Sequence, residues 1–92
     1  MQFKFSVEAG RKHEVSFRYS RLTNTVKIEV DGKLIKRDIF LLWIPGSRRY
    51  EFEVGSTERR DVVIDISIPR VGAKVANPEG SVYVDGNYAH SF

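Results

Sequence analysis

Asn24-Thr25-Val26-Lys27-Ile28-Glu29-Val30-Asp31-Gly32-Lys33-Leu34-Ile35-Lys36-Arg37-Asp38-Ile39-Phe40 is the stretch whose reading decides the fold. From Asn24 to Asp31 apolar residues take every second position, which is the side-chain period of a half-buried strand. Asp31-Gly32 then supplies the positive φ angles that a two-residue type I′ turn requires, and a return strand follows. With these two residues at the turn, Val30 faces Lys33 and Ile28 faces Ile35. The register is favourable at one of these pairs and awkward at the other, which a bulge near Leu34 would resolve.

Working outward, the same alternation recurs on both sides of this hairpin. Phe3, Phe5 and Val7 alternate with Lys4, Ser6 and Glu8 before a turn at Ala9-Gly10, and His13, Val15, Phe17 and Tyr19 then share one side of a second strand from Lys12 to Tyr19. Beyond the hairpin, Ile39 to Ile44 is continuously apolar and is stopped by Pro45-Gly46; it reads as a strand buried on both faces or covered on its outer one. Ser47 to Val54 and Arg60 to Ile68 are further strands, the latter rich in branched side chains. Arg70 to Gly80 reads as a short irregular strand or a loop. Ser81 to Asp85 and Asn87 to Phe92 form a closing hairpin around a second Asp-Gly, at Asp85-Gly86. No stretch carries a helical period of adequate length. Turn signals every eight to twelve residues point to an all-β protein: a single antiparallel β-sandwich of about eight strands, with a small β-barrel as the alternative. At 92 residues one domain spanning residues 1–92 is expected.

Composition narrows the function. The chain has no cysteine, which excludes disulfides, thiolate metal sites and cysteine nucleophiles, and fits a cytoplasmic location. No apolar run is long enough to span a bilayer, and the opening residues alternate instead of forming a signal peptide, so neither a membrane nor export is expected. Fifteen Lys and Arg against twelve interspersed acids leave +3, a weak pull on an anionic partner.

The order His13-x-Val15-x-Phe17, Val26-x-Ile28-x-Val30-Asp31-Gly32-Lys33, the basic pair Lys36-Arg37 before an aromatic-apolar run, Gly46, Phe52-x-Val54-Gly55, the branched strand Val62 to Ile66 and Val82-x-Val84-Asp85-Gly86 resembles the amino-terminal domain of the Fas apoptotic inhibitory molecule family. The resemblance implies an antiparallel β-sandwich without catalytic apparatus that acts through protein contacts, in cell-survival signalling and in protection against aggregation. Family members carry two such domains in tandem, and their early tryptophan has its counterpart late in this chain, at Trp43. No family site residue carries over.

Among candidate chemistries, His13 and His90 with Glu14 and Asp85 nearby fall short of the three or four ligands a metal needs. Asp31 and Asp85 are sufficiently explained as turn residues. The serines lack a nucleophile elbow and a histidine partner. Catalytic, metal and cofactor residues are therefore expected to be none. Two surfaces stand out instead. Phe40, Leu42 and Trp43 would form a protein-contact patch if one side of their run lies open. Lys36-Arg37, Arg48-Arg49 and Arg59-Arg60, interleaved with aromatics, would form an anion-contact surface of the kind that single-strand-binding barrels use. The leading expectation is a non-enzymatic protein-binding or scaffold domain with an unidentified protein partner, and pairing of two copies through a sheet edge as a further option. A single-stranded nucleic-acid binder is the alternative.

Overall fold

The computed structural model describes residues 1–39, 46–68, 70–71, 74–75 and 78–92. Its strands are β1 (Gln2–Ala9), β2 (Arg11–Ser20), β3 (Thr25–Val30), β4 (Lys33–Ile39), β5 (Gly46–Val54), β6 (Arg60–Ile68), β7 (Arg70–Val71), β8 (Lys74–Val75), β9 (Glu79–Val84) and β10 (Asn87–Ser91). Two four-stranded antiparallel sheets form, in the orders β1-β2-β3-β4 and β10-β9-β6-β5, with β7-β8 as a small hairpin apart. The β-sandwich is thus present as expected, and no ladder among the described residues closes the sheets into a barrel. No helix among the described residues is long and apolar enough to cross a membrane.

Alternation explains the layering. Phe5, Val7, Val15, Phe17, Tyr19, Val26 and Ile28 point inward from the first sheet and meet Tyr50, Val54, Val62, Ile64, Ile66 and Val82 from the second. Phe17, Ile28 and Ile64 are the largest side chains wholly removed from water. Each contributes roughly 1.5–3 kcal/mol by that removal, so the two facing layers are what hold the sheets together.

The central hairpin has the turn that the sequence implies: φ is +51° at Asp31 and +81° at Gly32, and Val30 pairs with Lys33. The bulge falls at Ile35. Glu29 pairs with Leu34 and Ile28 with Lys36, so Ile35 is the extra residue and does not face Ile28 as a regular register would have it. The closing hairpin repeats this. Asp85 and Gly86 have φ of +50° and +81°, Tyr83 pairs with Tyr88 and Val82 with His90, and Ala89 is left over.

Several segments differ from the sequence reading. β1 runs on to Ala9, which pairs with Arg11, so Gly10 alone makes that turn, at φ +79°. β9 begins at Glu79, two residues early. The segment read as irregular holds the β7-β8 hairpin, whose two-residue strands are too short to leave a periodic trace. The strand read from Ile39 to Ile44 is described only at Ile39, the last residue of β4; the rest lies outside the described residues.

Candidate functional site

β4 gives no buried apolar side chain to the core. Sharing faces with its partners on β3, it turns Lys33, Lys36 and Asp38 toward the inner side, opposite Val30, Ile28 and Val26, and Leu34, Arg37 and Ile39 toward the outer side. Its apolar residues are left in water, with Leu34 49%, Ile35 40% and Ile39 53% exposed. Among the described residues it is an edge strand and pairs on one side only, with β3.

Its inner side is anchored through Asp38. The Tyr50 hydroxyl donates to Asp38 Oδ2 over 2.8 Å, and Arg48 Nε lies 3.9 Å from the same oxygen. Burial first, then the bond to Asp38, pushes the Tyr50 phenol well above its ordinary range. A narrow groove between Ile35 and Lys36 on one wall and Tyr50, Glu51 and Phe52 on the other runs beside this contact.

On the outer face the register produces a row that adjacent residues in the sequence do not announce. Arg18 is directly opposite Lys27, and Lys27 directly opposite Arg37, on three neighbouring strands. Side chains so placed have Cβ atoms roughly 4.5–5.5 Å apart, and like charges in that position repel. Arg18 has Glu29 at 3.8 Å. No carboxylate among the described residues lies within 4 Å of Lys27 or Arg37. A shallow groove of about 650 Å³ follows the row, with Gln2, Ser20 and Thr25 also in its wall.

The basic residues singled out from the sequence do not gather into one surface. Adjacent residues on a strand point to opposite faces, so Lys36 and Arg37 part company, as do Arg48 and Arg49. Arg49 grips both oxygens of Asp65, at 2.9 and 3.4 Å, which raises its already high pKa. Arg59 lies 3.4 Å from Glu53, and Arg60 bonds Asp85 at 3.0 Å and the Glu8 carbonyl at 3.1 Å. Phe40, Leu42 and Trp43 lie outside the described residues. Arg18, Lys27, Leu34 and Ile39 are not among the site residues that the sequence singles out. The signal that could have found them is the β3-β4 register, which is readable only once the bulge is placed.

The ionisable corners are structural in their geometry. Asp31 Oδ1 accepts from the Glu14 amide at 2.9 Å, while its Oδ2 lies 2.6 Å from His13 Nδ1 and 3.2 Å from Arg11 Nη2. The Glu14 amide, then the His13 ring, hold the Asp31 carboxyl below its usual range. Ser56 and Thr57 share a groove with this His-Asp pair. Yet His13 Nε2, the atom that would take a proton from a hydroxyl nucleophile, faces the Ala9 carbonyl at 3.2 Å in a buried position. Asp85 repeats the corner: it accepts from the Asp61 amide at 2.9 Å, and that bond, then Arg60, lower its pKa. His90 packs against the rings of Phe3 and Phe5. Among the described residues no group of three or more His, Asp or Glu could hold a metal.

Comparison of the chain with protein-family models, curated proteins and solved structures gives no match in any of the three.

Proposed function

We propose that this chain is a non-enzymatic protein-binding module that takes an extended segment of its partner onto the open edge of β4. The observation that carries the reading is the exposure of Leu34, Ile35 and Ile39 on an edge strand that gives almost nothing to its own core. An unpaired edge offers main-chain donors and acceptors for strand addition, and exposed apolar side chains add area that a partner covers. The resemblance to the Fas apoptotic inhibitory molecule family supports contact-based action, and the cysteine-free composition favours a cytoplasmic setting. Pairing of β4 with β4 of a second copy is the weaker variant, because Lys33, Lys36 and Arg37 would then meet the same charges.

The test is amide hydrogen exchange with a short peptide of alternating valine and threonine added in excess. Protection confined to Lys33–Ile39 is the expected result. Protection at β1, β5 or β10 instead, or nowhere, rejects β4 as the docking edge.

A further inference from the structure

We infer that the segment β4 accepts is acidic, with carboxylates placed opposite Lys36 and Arg37 and apolar side chains placed beside Leu34 and Ile39. The inference rests on the proposed docking at β4 and adds the chemistry of what docks there.

Arg37 is the last cation of the row that starts at Arg18 and passes through Lys27, and it stands at the open edge of the sheet. On its β3 side it faces another cation; on its other side a strand added to the sheet would place one residue directly opposite. A carboxylate there relieves the repulsion that the row has built up, whereas a lysine extends it. Lys36, one residue earlier and on the inner side, makes the same demand of the neighbouring position. The only acid of β4, Asp38, is engaged by the Tyr50 hydroxyl and flanked by Arg48, so it does not offset the other charges toward an incoming strand. Along the outer side Leu34 precedes and Ile39 follows Arg37, so apolar contact brackets the charged one. Among the described residues no aromatic lies in the groove wall apart from Tyr19, whose side chain belongs to the core. The described residues of this face thus offer no stacking platform for bases, and a peptide fits them better than a single-stranded nucleic acid.

The experiment uses three labelled ten-residue peptides of alternating valine and threonine that carry two adjacent glutamates, glutamines or lysines at the centre. Binding is read by fluorescence anisotropy at low and high salt, and docking by amide exchange. The glutamate peptide is expected to bind at least about tenfold tighter than the lysine peptide at low salt, with the gap narrowing as salt screens it. Lys36→Glu with Arg37→Glu is expected to reverse that order, and Lys27→Glu, which gives Arg37 a counter-charge from within, to shrink it. All three side chains are exposed, so an unchanged circular-dichroism spectrum and thermal transition certify the variants. If the three peptides bind alike while β4 amides are protected, the acidic preference is wrong and the docking reading stands. If none protects β4, both fall. If polyphosphate or duplex DNA displaces the glutamate peptide and leaves β4 amides unprotected, the row reads polyanions in general and the acidic-strand inference is overturned.

Discussion

The two sheets are two versions of one four-strand meander. β1 to β4 in order correspond to β5, β6, β9 and β10, and the correspondence reaches single residues: His13 to Arg60, Val15 to Val62, Phe17 to Ile64, Val30 to Val84. Both meanders end in an Asp-Gly turn followed by a bulge four residues after the aspartate, at Ile35 and Ala89. In both, the turn aspartate accepts from an amide of the neighbouring strand, and its own amide donates back, to the Glu14 or the Asp61 carbonyl. The meanders diverge in three places. Four residues link β2 to β3, whereas eleven separate Ser67 from Glu79 and include β7 and β8. His13 is replaced by Arg60. And the two long edges of the sandwich are sealed differently, by Phe3 stacked on Phe92 with ring centroids 4.8 Å apart on one side, and by Tyr50 bonded to Asp38 on the other. Turns and bulges recur because they are local solutions to reversing a twisted ribbon. The edges differ because one is built into the core and the other is left polar and open, and the open one is where a partner is proposed to bind.

The largest effect that probes this comparison comes from the matched core positions Phe17 and Ile64. Both are wholly buried, but Phe17 also meets the Phe92 ring at 5.0 Å. Phe17→Ala is expected to destabilise by about 4 kcal/mol, and Ile64→Ala by about 3, in urea unfolding. A smaller loss at Phe17 than at Ile64 would show that Phe92 does not close the first edge.

The edges themselves give the next effect. Phe92→Ala is expected to destabilise by about 2 kcal/mol, because it strips rings from Phe3 and Phe17, and Tyr50→Phe by about 1, because the freed Asp38 is still reached by water. The two seals also differ in their response to base. The Tyr50 phenol is raised in the folded state, so its contribution is fully present below the ordinary tyrosine value of about 10 and is lost as pH climbs past it. Alkaline titration of stability should therefore show a loss that Tyr50→Phe reduces and Phe92→Ala leaves in place. An identical alkaline slope in all three proteins would mean that folding does not raise the Tyr50 phenol.

How much of the molecule could be read from the residues alone depends on where its determinants lie. Asp31-Gly32 and Asp85-Gly86 disclose their turns because positive φ at both central positions restricts which residues serve. Val26, Ile28, Val62 and Ile64 disclose their burial because a strand's period is two. The bulge at Ile35 could be called for but not placed, since any residue near Leu34 would restore the alternation. That single uncertainty hides the site: without it Lys27 pairs with Lys36, and with it Lys27 faces Arg37. Adjacency in sequence misleads in the same way, because Arg48-Arg49 looks like one cluster and is divided between two faces. β7 and β8 had no readable pattern at two residues each.

The finest test of the repeated meander concerns Gly32 and Gly86. Each has φ of +81° and no atom within 4 Å of where a Cβ would stand, so neither position has a steric reason to reject alanine beyond its backbone angle. The left-handed conformation penalises an L-residue by about 1–2 kcal/mol, and the surroundings add nothing at either turn. Gly32→Ala and Gly86→Ala are therefore expected to lower stability equally, by about 1 kcal/mol each. The two differ only in the strand that each turn leads into. Slackening at Gly32 moves β4, so the glutamate peptide should bind Gly32→Ala less tightly than Gly86→Ala, although the two variants unfold at the same urea concentration. Unequal unfolding would show that the two corners are not equivalent after all, and equal unfolding with equal binding would separate the turn from the docking edge it is proposed to position.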